Sequence, residues 1–159
     1  MRIDYQKVLP AAPQAMLQLE QVVHQSSLEP RLLELVKIRA SQLNGCAHCL
    51  DMHTKDARSM GESEQRIHLL VAWREAPFYS ERERAALAWC ESLTLLAETG
   101  APDDVYEELS KHFSEEESVA LTLAVVAING WNRLAVGMRS AVGDYRSQRR
   151  RLEAQAVSA

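Results

Sequence analysis

Apolar residues recur at intervals of three and four along most of the chain, and strand-like alternation is absent. That spacing puts side chains on one face of a helix, so the chain reads as a set of amphipathic helices. In LLELVKIRASQL the stripe is Leu32, Leu35, Val36, Arg39 and Leu43, with Pro30 suited to the first turn and Asn44-Gly45 to the end. An earlier helix covers AMLQLEQVV, and a new one begins around Cys46 and runs to Met60-Gly61. Ser63 caps a fourth segment that reaches Trp73 and is stopped by Pro77. Ser80 with Glu83 and Ser114 with Glu117 make S-x-x-E capping patterns ahead of RAALAWCESLTLLAE and VALTLAVVAINGWNRLAVGM. Between these two, Thr99-Gly100 closes the fifth helix and Pro102 opens DDVYEELSKHF. The expectation is an all-α domain of about seven helices, the last of them the most buried.

Composition supports this reading. Gly and Pro together supply 11 of 159 residues and aromatics 6%, too little for a turn-rich sandwich or barrel. A chain of this length buries roughly 70% of its unfolded surface, so its core needs no disulfide or metal scaffold. No secretory h-region opens MRIDYQKVLPAAP and no uncharged apolar run reaches 18 residues, which predicts a cytoplasmic protein without a membrane partner. Residues 143–159 hold four Arg against two acids, leaving a net charge of −6 on residues 1–142. We therefore expect a domain over 1–142 and a basic C-terminal tail over 143–159, with Arg149, Arg150 and Arg151 read as a solvated end rather than a nucleic-acid contact.

Three cysteines are an odd count, and two of them stand three apart, which suits reduced, chemically employed thiols. Cys46, Cys49 and His53 share one helical face, and the thiols fall in the first turn, where free N–H groups and the helix dipole favour a thiolate. The dipole favours Cys46 as the more acidic thiol, whereas the His spacing favours Cys49. If the chain reverses at Asn44-Gly45, Glu34 on the preceding helix lies within about 5 Å of the level of His53 along the helix axes, given 1.5 Å of rise per residue. A carboxylate there can orient the imidazole and hold its proton.

Glu34, Cys46, Cys49 and His53, with the KIRASQLNGCAHC approach, the MHTKDAR sequel and Gly61, and the INGWNRLAV segment, resemble the AhpD-like alkylhydroperoxidase branch of the carboxymuconolactone decarboxylase superfamily. The resemblance covers most of residues 12–142. It implies an all-α fold, assembly into trimers or hexamers, and reduction of hydroperoxides by the thiol pair. In that scheme Cys49 is the peroxidatic nucleophile, Cys46 resolves its sulfenic acid as a disulfide, and His53 and Glu34 form the proton relay. No cofactor is bound; an external dithiol, by resemblance a lipoyl-bearing protein, restores the thiols.

Other readings exist. Zinc on Cys46, Cys49 and His53 needs a fourth ligand from His48, Asp51 or His24. A carboxymuconolactone decarboxylase has no evident use for a CxxC pair, and a redox-sensing oligomer without turnover would use the disulfide only to change its assembly. Cys90 and the three tryptophans read as core or interface, His48 as near enough to tune thiol acidity although an intervening helical position points away from the sulfurs, and His24, His68 and His112 as surface residues. Asn129, Asn132 and Arg133 in the final helix need hydrogen-bond partners, and Gly130 suits a close helix crossing.

Overall fold

The computed structural model describes residues 1–147. Among them are nine α-helices and no strand: α1 (Tyr5–Val8), α2 (Ala11–His24), α3 (Pro30–Leu43), α4 (Ala47–Ser59), α5 (Glu64–Leu69), α6 (Glu81–Thr94), α7 (Leu96–Thr99), α8 (Asp103–Ser110) and α9 (Glu115–Met138). The expected seven become nine for two local reasons. Tyr5–Val8 forms a single turn before Pro10, and the fifth segment breaks at Leu95 into α6 and α7. The fourth segment continues past α5 as a 3-10 turn over Leu70–Ala72.

The caps form where the sequence places them. Ser63 accepts from the Arg66 N–H, and Ser80 and Ser114 each complete a reciprocal capping box with Glu83 and Glu117. Pro30 opens α3, and Gly45, at φ +62°, makes the reversal into α4 in a conformation that a side chain would strain.

The core is organised around α3. Nine of its fourteen residues are buried, against nine of twenty-four in α9, so the expectation that the last helix is the most buried does not hold. The reason is position. Leu32, Leu33, Val36 and Ala40 join one apolar cluster with α6, α8 and α9, while Leu35 and Ile38 join a second with Ile67, Leu70, Trp73, Tyr79 and Leu87. α9 has the length and hydropathy of a membrane span, with a mean hydropathy of 1.5, but here it packs against α2, α3, α4 and α6 and leaves Val119 and Val126 exposed. Gly130 faces the Met16 side chain of α2, whose flexible tip a Cβ there would meet at 2.7 Å.

Burying α3 on both sides forces its polar residues to find partners. Arg39 donates to Glu91 at 2.7 Å, and Glu91 also accepts from Trp73 Nε1 at 2.8 Å. Ser41 accepts from Asn132 Nδ2 at 3.1 Å, and Asn44 donates to Asn132 Oδ1 at 2.8 Å and to Asn129 Oδ1 at 3.0 Å. These bonds tie the end of α3 to α9, and they are the partners that the buried asparagines require. Arg133 returns to its own helix, donating to the Asn129 carbonyl at 2.9 Å.

Past α9 the chain does not leave the body. Residues 141–147 run along α4: His48 Nδ1 meets the Ala141 carbonyl at 2.6 Å, Gly143 N–H donates to Asp51 at 3.2 Å, and Ser147 donates to Ser59 at 3.0 Å. The first residues of the expected 143–159 tail thus pack on the domain, whereas Arg149, Arg150 and Arg151 lie outside the described residues.

Asn132→Ala should destabilise the fold by about 2 kcal/mol, because it strands the buried Ser41 hydroxyl and one donor of Asn44. Urea unfolding followed by circular dichroism measures this. A change under half a kcal/mol would show that those groups re-pair.

Candidate functional site

The thiols sit where α3 hands over to α4. Cys46 is the N-cap of α4, with its sulfur accepting the Cys49 N–H at 3.4 Å. The two sulfurs lie 2.7 Å apart, within hydrogen-bond reach, and both thiols are free and almost fully buried. The hydrogen bond shared with the Cys49 thiol is the largest influence on Cys46 and draws it down to about 6, against the opposing effect of burial. The Cys49 N–H, the charge of His48 and the Asn132 amide act in the same direction. Cys49 moves up, first because it shares its proton with Cys46 and then because it is buried. The shared hydrogen bond and the helix N-terminus therefore favour ionisation on the Cys46 side of the pair.

Access divides the pair differently. An open cleft of about 1010 Å³ is lined by Cys49 together with Glu34, His48, Met52, His53 and Asp56. Cys46 lies behind it.

His53 stands on the Cys49 face of α4, one turn further on. Its Nδ1 lies 2.9 Å from Glu34 Oε2, and both side chains are buried, at 7% exposure each. The hydrogen bond the structure gives the imidazole is this one, not one to either sulfur. With Nδ1–H donating to the carboxylate, Nε2 is the nitrogen left to exchange a proton in the cleft. Tautomer and orientation are both set by one buried contact.

His48 lines the cleft and bears on Cys46, although its position inside the CxxC suggests that it points away. The cause is the returning C-terminal segment, whose Ala141 carbonyl holds the ring. Trp131 packs against the core and also borders the cleft, while Trp73 and Trp89 are buried and bonded to Glu91 and Thr122. His24, His68 and His112 each find a glutamate one turn back on their own helix, at 3.8, 3.6 and 3.2 Å. Cys90 is fully buried against the Val36 carbonyl, and burial pushes its thiol up to about 12.

The residues that could hold a metal are also rearranged. Asp51, a possible fourth zinc ligand, is paired with Lys55 at 2.8 Å. Among the described residues the compact donor group is Glu34, His53 and Asp56, whose ligand atoms all lie within 4.8 Å of one another. Asp56 is a site residue that the motif did not supply. Its spacing, seven residues after Cys49 and three after His53, could have shown it on the same face. Tyr145, whose hydroxyl donates to both Asp56 oxygens at 2.8 and 3.0 Å, carried no sequence signal.

Comparison with known proteins places this arrangement. The profile of the Carboxymuconolactone decarboxylase family matches residues 10–92. The uncharacterized protein YdfG of Bacillus subtilis is 46% identical over 137 residues, which cover 86% of this chain and 93% of that one. A crystal structure of an Agrobacterium tumefaciens protein of unknown function, proposed to be the antioxidant defence protein AhpD, superposes with a TM-score of 0.87 at 53% identity, over 91% of this chain and 99% of that one. The fold alone is shared with the alkylhydroperoxidase AhpD core of a peroxidase-related protein from Ralstonia eutropha, at a TM-score of 0.77 and 17% identity over 87% of this chain and 74% of that one. It is likewise shared with the debrominase Bmp8, at a TM-score of 0.74 and 20% identity over 85% and 73% of the two chains. By sequence and by fold, this chain belongs to the carboxymuconolactone decarboxylase family, in its AhpD-like branch.

Proposed function

We infer that the protein is a thiol peroxidase that reduces hydroperoxides through Cys46 and Cys49. The observation that carries this reading is the pair of sulfurs 2.7 Å apart on a helix N-terminus, with Cys49 opening onto a cleft that also holds the buried Glu34–His53 pair. Cys49 gives its proton to His53 Nε2 and attacks the outer peroxide oxygen. The O–O bond breaks, the alkoxide takes the proton from His53 as the alcohol leaves, and Cys49 becomes a sulfenic acid. The Cys46 thiolate then attacks Cys49 Sγ and the S–O bond breaks, releasing hydroxide that solvent protonates to water. The thiol pair loses two electrons and the peroxide gains them. A dithiol, by family resemblance carried on a lipoyl-bearing protein, reduces the disulfide by two exchanges.

The acidic thiol belongs to Cys46, and the reading gives it a use: a resolving thiolate is ready when the sulfenic acid forms. Lone decarboxylase chemistry would leave the CxxC pair idle, and a stoichiometric sensor would not need a relay beside the thiols. The same resemblance leads us to expect a cytoplasmic homo-oligomer, a trimer or a hexamer, with no bound cofactor.

Turnover decides between enzyme and sensor. With dihydrolipoamide and a panel of hydroperoxides, the wild type should consume many equivalents of peroxide and Cys49→Ser none. His53→Gln and Glu34→Gln should lose about a hundredfold in kcat/KM. After one equivalent of peroxide, Cys46→Ser should hold a trappable sulfenic acid on Cys49. One oxidation per chain without turnover, or sulfenic acid found only on Cys46, would contradict the reading.

Thiolate absorbance provides a pH test. One thiolate per chain should appear with a midpoint near 6 and vanish in Cys46→Ser. In Cys49→Ala the hydrogen-bond donor is removed, so the midpoint should rise. The sign is fixed, since a group whose charged form is hydrogen-bonded ionises at lower pH than it does free.

A further inference from the structure

Apart from its thiols, the cleft is distinguished by its charge. Histidines aside, the described residues on its wall include three carboxylates, Glu20, Glu34 and Asp56, and one ammonium, Lys37. Lys37, one turn along α3 from Glu34, is buried and committed to Glu20 at 2.8 Å. Glu34 is held by His53, and Asp56 by the neutral hydroxyl of Tyr145. Lys55, next to Asp56 in sequence, turns its ammonium to Asp51 and to the carbonyls of Gly143 and Tyr145. Arg58, two residues on, pairs with Glu64. The carboxylate of Asp56 thus stands within 4.8 Å of Glu34 and His53 with no lysine or arginine of its own helix paired to it, in a cleft whose other walls include Leu17, Met60, Trp131 and Ala135.

A fixed negative charge in a partly apolar, partly enclosed space repels an incoming anion more strongly than the same charge on an open surface. We propose that the cleft selects neutral reactants over anionic ones and that Asp56, fixed by Tyr145 from the returning C-terminal segment, is the residue that sets this selectivity. The inference deepens the thiol-peroxidase reading and rests on it for its biological meaning. The substrates would be neutral organic hydroperoxides, and the reductant a dithiol whose arm ends in an amide rather than a free carboxylate. The apolar walls match such reactants. The acidic end of the cleft disfavours a hydroperoxide or dithiol bearing its own carboxylate.

Alkylation tests the charge selection without any peroxidase turnover. Iodoacetamide and iodoacetate both transfer a carbon to a thiolate and release iodide, and they differ in the charge of the reagent. Their rate ratio on the reduced protein, with the modified cysteine located by peptide mapping, is compared with the ratio on 2-mercaptoethanol. The preference of the protein for iodoacetamide should exceed that of the free thiol by about tenfold at low salt and shrink as salt is raised. Asp56→Asn, which keeps an acceptor for Tyr145, should remove most of the excess, and Asp56→Glu should restore it. No excess over the free thiol, an excess insensitive to salt, or one unchanged in Asp56→Asn would overturn the proposal.

The disulfide form, reduced by dihydrolipoamide and by dihydrolipoate, extends the test to the reductant. The amide should react faster in the wild type, and the gap should narrow in Asp56→Asn. If alkylation shows the selection while neither dithiol supports peroxide turnover, the peroxidase reading fails and the charge selection stands.

Discussion

Burial of α3 on two sides is the constraint from which the rest of the structure follows. A helix with apolar neighbours on opposite faces cannot leave a charged or hydroxyl side chain unpaired without a cost of a few kcal/mol. α3 nonetheless carries Glu34, Lys37, Arg39 and Ser41. Each is answered from another helix: Glu34 by His53 on α4, Lys37 by Glu20 on α2, Arg39 by Glu91 on α6 and Ser41 by Asn132 on α9. Four polar pairs thereby fix the helices that surround α3, and one of them is the pair beside the thiols. The requirement that stabilises the core also positions the imidazole.

The site divides labour between ionisation and access. Cys46, at the N-cap, accepts the Cys49 N–H and is the side of the pair on which ionisation is favoured; Cys49, one turn in, faces the cleft. A single cysteine would need both properties, and in a buried position they conflict, since exclusion of water raises the cost of the thiolate. Two cysteines three residues apart separate them while remaining close enough to exchange a proton directly.

The C-terminal segment adds a layer that α4 alone lacks. Ala141 holds His48 near the thiols, and Tyr145 holds Asp56 near the Glu34–His53 pair, so residues far apart in the chain are set by one short run of backbone. Supporting contacts of this kind keep a reactive group in one orientation. They also make the acidic end of the cleft a built feature rather than an accident of surface charge.

The helical class, the caps at Ser63, Ser80 and Ser114, the reversal at Asn44-Gly45 and the shared face of Cys49 and His53 were determined by the sequence, because each depends on spacing within a few residues, whereas Cys46 sits at the N-cap behind that face. The proximity of Glu34 to His53 was legible too, since a tight turn between two helices makes axial position countable. What only the tertiary structure decided are relations across the fold. α3, not the most apolar helix, became the centre, because burial depends on how many neighbours surround a helix and not on its own hydropathy. The place of His48, the pairing of Lys37 with Glu20 and the reach of Tyr145 to Asp56 depend on segments separated by 17 to 93 residues, and no local periodicity encodes such a contact.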